Sequence, residues 1–352
     1  MSSIKAIALS FVAGLAGVAF LPNAALAHGR GAAQVCSLGA AAVGQQATVI
    51  CKDSQSGATT QSIPLGKTVA AAGGIGGTFS RSGDRVLVAN QAGGAVLFRE
   101  DDGRLQARVV LSTGAEGALS GALGRDGAYV LTGTRLLFFP RGQATATSSQ
   151  GLLRADGSAS QVTLADGHAY VAEKSGSLEA FLLSRDGDLI GPATPVAGVP
   201  AGTIVGITGA RDLVVAPVAH LATSFNQAAI SVVSGEAQAQ LVPTKEVAAC
   251  WTNNDEGLVC VSNPGSQTVS CGHLGAGGFD SYTSAAGDPA GASVFDLDVR
   301  GGLVGIQAVR AGAPVLQVYR ADGGGDFLRL IGEHAVGTAT ANGALLLPPL
   351  SR

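Results

Sequence analysis

Seven side chains of the chain have the chemistry to bind or transform a small ligand. His220 has an unperturbed pKa near neutral and could transfer a proton at physiological pH. Glu173 could share that acid and base work, and Arg310 could hold a carboxylate by a charge-assisted hydrogen bond. Four further residues could bind the ligand without reacting, by hydrogen bonds, a positive charge and a stacking surface: Gln161, Lys174, Trp251 and Asp296.

Several of these residues also have a structural interpretation. Glu173 and Lys174 are adjacent and could form a solvated loop pair, Asp296 could accept backbone N–H bonds, and Trp251 could fill space between repeats. After the first 27 residues the chain has no sequence motif for a metal site, a phosphate-binding loop or a nucleophilic serine elbow. The sequence therefore predicts neither a metal nor a cofactor.

Glycines at regular intervals indicate the elements that must position these side chains. The turn glycines are separated by 44, 40, 90 and 44 residues, and they are Gly83, Gly127, Gly167, Gly257 and Gly301. The interval of 90 residues contains two repeats, with Gly209 between them. Each repeat has the pattern strand, turn, strand, loop, strand. A period of about 40 to 45 residues with this pattern is typical of a β-propeller blade.

Three repeats carry a resemblance to a known family. They read GDRVLVANQAGGAVLF, DGHAYVAEKSGSLEAFLLSRDGDL and ACWTNNDEGLVCVSNPGSQTVS. Each of them has an inner strand, an Asp/Gly turn and a Tyr/Val-rich second strand. In these features the chain resembles the lactonase-type seven-bladed β-propeller family. That family includes 6-phosphogluconolactonase-like and carboxymuconate cyclase-like proteins, and the resemblance covers roughly Gln34 to Gly337. The arginine and histidine pair that opens an inner strand in phosphogluconolactonase-like members occurs in no repeat here, so no catalytic residue is carried over.

The two ends of the chain predict how the ring of repeats would close. The stretch from Gln34 to Pro64 offers outer strands, and the stretch from Val336 to Leu347 offers inner strands. We therefore expect an all-β fold, a seven-bladed β-propeller closed by N- and C-terminal strands that share one blade. The alternative, two packed β-sandwich domains, is disfavoured because the period persists along the whole chain.

The N-terminus has the three-part form of a cleaved signal peptide. Lys5 supplies a positive charge, an apolar run follows, and small residues at Ala25 and Ala27 fit a cleavage site. The prediction is a signal peptide over residues 1–27 and one propeller domain over residues 28–352, periplasmic or secreted. A mature chain that begins with His28 could chelate copper through its amine and imidazole, although we favour an accidental first residue.

The composition restricts the classes of partner. A formal net charge of −3 with 13% charged residues provides no basic field for nucleic acid or anionic lipid. We expect a small anionic or polar ligand or a protein partner, no nucleic acid, and no membrane insertion after signal cleavage. A monomer is the expected state.

Five cysteines in an exported chain predict two disulfides and one thiol. The repeat places Cys36 with Cys51 and Cys260 with Cys271 equivalently, each pair joining a second and a third strand. A bond between Cys250 and Cys260 across the turn remains the alternative, because hairpin geometry permits it as well.

Strand order predicts where the candidate residues meet. In a propeller, the loops that enter the inner strands and the loops between second and third strands open on one face, called here the top face. The repeat places all seven candidate residues there, around the channel mouth. The leading hypothesis is a module that binds a small ligand or a protein without chemistry. The alternative is a lactone hydrolase or cycloisomerase that uses His220, Glu173 and Arg310.

Overall fold

Short apolar runs that end at turns form β-strands along the chain. The structure is a computed structural model that describes residues 32–42, 45–68, 78–90, 93–210, 213–219, 226–233, 236–243, 246, 248–275, 278–285, 292–321 and 328–350. Within these ranges it contains twenty-eight strands. No helix in the described ranges has the length and apolar character needed to span a membrane.

In chain order the strands are β1 (Gln34–Ala40), β2 (Gln46–Asp53), β3 (Thr59–Thr68), β4 (Phe79–Ser82), β5 (Arg85–Asn90), β6 (Gly94–Asp101), β7 (Arg104–Leu111), β8 (Ser120–Leu123), β9 (Gly127–Leu131), β10 (Arg135–Pro140), β11 (Ser148–Gly151), β12 (Ala159–Ala165), β13 (His168–Glu173), β14 (Ser177–Leu183), β15 (Leu189–Pro195), β16 (Thr208–Ala210), β17 (Leu213–Val218), β18 (Asn226–Val233), β19 (Glu236–Pro243), β20 (Thr252–Asp255), β21 (Leu258–Asn263), β22 (Thr268–Gly275), β23 (Gly278–Ala285), β24 (Ala292–Arg300), β25 (Leu303–Arg310), β26 (Ala313–Ala321), β27 (Leu328–Ala335) and β28 (Thr340–Leu347).

The described strands form seven four-stranded sheets. Six use consecutive strands: sheet 1 is β4 to β7, sheet 2 is β8 to β11, sheet 3 is β12 to β15, sheet 4 is β16 to β19, sheet 5 is β20 to β23, and sheet 6 is β24 to β27. Sheet 7 has the order β28, β1, β2, β3. Its β28 and β1 are antiparallel, with Gln34 opposite Leu347. The prediction that the two chain ends share one sheet is confirmed.

Tight turns join the first and second strands of several sheets. Gly167 and Gly257 have φ angles of 69° and 92° there, the left-handed conformation that two-residue hairpin turns require. The prediction that Gly127 and Gly209 are turn glycines is wrong, because they lie in strands β9 and β16. Gly127 meets a different requirement, because a Cβ at this position would lie 2.1 Å from the carbonyl oxygen of Phe139.

Apolar clusters lie between neighbouring sheets. Leu345 of sheet 7 belongs to a cluster with Val86 and Phe98 of sheet 1, and Leu346 belongs to one with Leu316 of sheet 6. Comparable clusters join each of the other consecutive pairs of sheets. The first strands contact one another in the order β4, β8, β12, β16, β20, β24 and β28, and β28 contacts β4. Sheets that pack face to face about an axis in this way form an all-β propeller.

Two disulfides join the second and third strands of their sheets. Cys36 and Cys51 are directly opposed on β1 and β2 of sheet 7, and Cys260 and Cys271 are directly opposed on β21 and β22 of sheet 5. Both predicted pairs are confirmed, and the alternative bond between Cys250 and Cys260 is wrong. Burial raises the pKa of the free Cys250 thiol to about 12.

Candidate functional site

A cavity of about 400 Å³ lies between the first strands of the seven sheets. Each first strand contributes to its wall, and much of the wall is polar. The cavity reaches the turns between first and second strands, because the exposed Gly83 also lines it. Its polar lining includes Ser80, Arg81, Gln161, Thr163, Asn254 and Asp255.

Several of these side chains bind the backbone of the neighbouring sheet. The first strand of a sheet has one edge without a strand partner, so its N–H and C=O groups need other partners. The Oγ of Ser80 accepts the N–H of Leu123 at 3.1 Å, and the Oγ1 of Thr163 accepts the N–H of Gly209 at 2.7 Å. Each bond spans about one repeat, so these side chains connect a sheet to the next one.

Charged side chains from two sheets meet at Leu346 of β28. Asp298 of sheet 6 accepts the Leu346 N–H at 2.7 Å, and Arg81 of sheet 1 donates to the Leu346 carbonyl at 2.8 Å. The two charged groups are also paired at 3.7 Å, and Asn253 donates to Asp298 at 3.0 Å. Burial raises the pKa of Asp298, and Arg81 and the Leu346 N–H offset part of that rise. Sheet 7 is therefore joined to both of its neighbours at one residue.

Two solved structures have an architecture similar to that of this chain. A Bacteroides fragilis protein described as a "putative 6-phosphogluconolactonase" matches with a TM-score of 0.58 and 13% identity, over 90% of this chain and 98% of that protein. The computationally designed Ika8 protein matches with a TM-score of 0.52 and 12% identity, over 89% and 90% of the two chains. The chain has a lactonase-like β-propeller fold. No protein-family model matches the sequence, and no curated protein matches it. At such low identity the likeness extends to the fold alone.

The propeller brings Gln161 and Trp251 close together, and a third predicted site residue, Asp296, follows a neighbour of Trp251 in the chain. Gln161 and Trp251 flank Gly206, where an added Cβ would lie 3.0 Å from the Gln161 Oε1 and 2.7 Å from the Trp251 Cα. Trp251 packs edge-on against the ring of Phe295, the residue before Asp296 in the chain, with 6.0 Å between ring centroids. Trp251 and Asp296 are buried, with 5% and 7% of their surface exposed. Of the three, Gln161 lines the cavity.

Glu173 is a fully buried carboxyl at the end of β13. Its Oε2 accepts a hydrogen bond from Ser158, and its Oε1 has no hydrogen-bond partner within the described residues. Burial, the largest cause, raises its pKa to about 7, and the charges of Glu179 and Asp156 add to the rise. In the described part of the chain, no group of three or more His, Cys, Asp or Glu side chains could hold a metal ion. The carboxyl is buried, and its hydrogen bond with Ser158 holds in place the segment that leads into sheet 3.

The predicted cations differ in their surroundings. Lys174 is exposed, and its backbone N–H donates to the Ser158 carbonyl at 2.9 Å. Arg310 donates two hydrogen bonds to Glu333, at 2.8 and 2.7 Å, so its charge is shared with a carboxylate of its own sheet. His220 lies outside the described residues.

Sequence reasoning missed most of the cavity wall. Arg81, Asn254 and Asp298 lie in first strands, close to the turns at which those strands end. Their signal was present in the segments FSRSGD, TNNDEG and FDLDVRGG. Inner strands of a propeller are enclosed, so charged and amide side chains within them indicate a polar channel.

Proposed function

We propose that this protein binds a small polar ligand in the cavity between its first strands, without chemistry. The observation that carries the proposal is the cavity itself, about 400 Å³ in volume and walled by all seven first strands. Small-molecule sites are concave spaces of about this size with a few convergent polar groups. Ser80, Gln161, Asn254 and Asp255 are such groups.

The proposal includes a closed ring of seven blades, folded as a single domain over residues 28–352. Its support is cyclic packing, because every pair of neighbouring sheets shares an apolar cluster and β28 contacts both β24 and β4. The hydrogen bonds of Leu346 to Asp298 and Arg81 also join sheet 7 to both of its neighbours, which supports closure of the ring. A closed ring would hold the cavity wall rigid, which lowers the cost of ordering groups around a ligand.

Binding is favoured over catalysis by the surroundings of Glu173 and Arg310, two of the three candidate catalytic residues. Glu173 is fully buried and already accepts a hydrogen bond from Ser158. Arg310 is held by Glu333 through two hydrogen bonds. A catalytic group must come within hydrogen-bond reach of the reacting atoms, and neither residue lines the cavity.

Export to the periplasm or the medium is part of the same proposal. The signal-like first 27 residues support it, and so do the two disulfides, which persist in oxidising compartments. N-terminal sequencing of the protein from cell fractions should find His28 as the first residue outside the cytoplasm. An uncleaved chain with reduced cysteines in the cytoplasm would contradict this part.

A thermal-shift screen of the mature protein with diverse small molecules, followed by calorimetry, tests the binding proposal. A ligand at 100 times its Kd should raise the free energy of unfolding by about 2.7 kcal/mol. Ser80→Leu should abolish binding because it fills part of the cavity with an apolar group. The control Ser149→Leu changes an exposed residue of β11 and should bind normally. Binding that survives Ser80→Leu, or a screen without any ligand, would overturn the proposal.

Simple lactones belong in the same screen, with hydrolysis followed directly. No turnover is expected. Sustained hydrolysis by the wild type that is lost in Ser80→Leu would instead support the alternative, a lactone hydrolase or cycloisomerase that acts in the channel.

A further inference from the structure

The cavity wall offers hydrogen-bond donors that the fold does not use. We infer that the ligand is a neutral molecule rich in hydroxyl groups, such as a sugar or a polyol; this inference rests on the proposed function. Gln161 accepts the Ile207 N–H at 2.9 Å through Oε1, and its Nε2 group donates to nothing in the described part of the chain. The hydroxyls of Ser80 and Thr163 each accept a backbone N–H, and each retains a proton to donate.

The wall also offers unused acceptors. Asn254 donates through Nδ2 to Thr208 and Gly209, both at 2.8 Å. Asp255 accepts the Gly301 N–H at 2.6 Å through Oδ2. Within the described residues, the Oδ1 atoms of Asn254 and Asp255 accept no hydrogen bond. A hydroxyl group both donates and accepts, so a ligand with several hydroxyls can satisfy both kinds of wall atom.

The charges of the wall favour a neutral ligand over an anion. Arg81 is the cation of the wall, and Asp255 and Asp298 are its two carboxylates, so the formal charge of the wall is negative. Arg81 is already paired with Asp298 at 3.7 Å and donates to a backbone carbonyl. An anionic ligand would therefore compete for an arginine in use and would meet two carboxylates, which costs free energy in an enclosed space.

Calorimetric titration with matched probes tests this inference. The probes are glucose and sorbitol as neutral polyols, gluconate and glucose 6-phosphate as anions, and glucosamine as a cation. The neutral probes should bind, the anions should bind at least tenfold more weakly, and deoxyglucose should lose affinity relative to glucose. These comparisons use the unmodified protein and do not depend on any variant.

Two variants connect the binding to the wall. Gln161→Glu retains the acceptor for Ile207 and removes the donor, and Asp255→Asn retains the acceptor for Gly301 and removes the other one. Each should weaken glucose or sorbitol binding by about fivefold to tenfold, the loss of one hydrogen bond. The controls Gln106→Glu on β7 and Asp186→Asn in the turn between β14 and β15 alter exposed residues and should bind normally.

The outcomes separate this inference from the proposed function. If an anionic or cationic probe binds more tightly than the neutral ones and Ser80→Leu abolishes that binding, the cavity is a ligand site and the inference about ligand class is wrong. Neutral binding that is unchanged in both Gln161→Glu and Asp255→Asn would also refute it. If none of these probes binds, the inference fails, and the wider screen decides the proposed function by itself.

Discussion

At the scale of single residues, Glu173 should be visible in the pH dependence of stability. Its pKa is raised from 4.5 to about 7, mainly by burial. Between these two values the unfolded chain has released the proton and the folded chain retains it, so the free energy of unfolding falls as pH rises. The contribution of the protonated carboxyl to the free energy of unfolding is fully present below about pH 4.5, and it is lost as the pH rises through about 7.

Glu173→Gln should remove this loss, because an amide cannot ionise. At pH 8 we expect the variant to be more stable than the wild type by about 1 to 3 kcal/mol, with little difference at pH 4.5. Urea unfolding across this pH range measures it, and Asp186→Asn, at an exposed position, serves as the control. A variant whose stability follows the wild type at every pH would show that Glu173 is ionised in the folded protein.

At the scale of elements, β28 should carry an unusual share of the stability. Leu346 is 1% exposed and packs between sheets 6 and 7. Leu346→Ala should lower the free energy of unfolding by about 2 to 5 kcal/mol, the cost of a cavity in a packed core. Leu330→Ala on β27, where the side chain is 39% exposed, should cost less than about 1 kcal/mol. Equal effects of the two variants in denaturant unfolding would contradict the packing of β28.

The disulfide between β1 and β2 should stabilise the sheet to which β28 belongs. The double variant Cys36→Ser with Cys51→Ser should lose about 2 to 4 kcal/mol, because the unfolded chain gains freedom when a cross-link over 15 residues is removed. Melting curves under oxidising conditions measure the loss. Cys250→Ser is the matched control, since Cys250 forms no disulfide, and a loss as large as that of the double variant would be contrary to expectation.

At the scale of the whole molecule, the strands shared between the chain ends should matter more than the position of the ends. The natural ends can be joined by a short linker because Gln34 lies opposite Leu347. A permuted chain opened at Ser175, within sheet 3, again has a sheet built from both ends. A chain opened at Gly114, between sheets 1 and 2, has no such sheet.

We expect the chain opened at Ser175 to unfold at nearly the rate of the wild type and the chain opened at Gly114 to unfold faster. The reason is that shared strands must lose backbone hydrogen bonds before the chain ends separate. Stopped-flow unfolding in denaturant measures both rates, and circular dichroism checks that both variants fold. Equal unfolding rates would mean that strand sharing does not hold the propeller together.

The sequence by itself determined the repeat and the strand pairing within its hairpins, and it predicted the cysteine pairs and the shared sheet of the chain ends that the structure contains. These features depend on spacing, because a turn glycine such as Gly167 and a cysteine pair such as Cys260 and Cys271 fix their own strand register. Hairpin partners are close along the chain, so the pattern of the residues specifies them.

Only the tertiary structure decided which polar side chains are available to a ligand. Glu173 and Trp251 are buried, Arg310 is paired with Glu333, and Arg81 binds the backbone of Leu346, 265 residues away. Burial and pairing of this kind depend on atoms from other strands and other sheets. A repeat period places a side chain at a height along the axis, and it does not specify which neighbour occupies the remaining space.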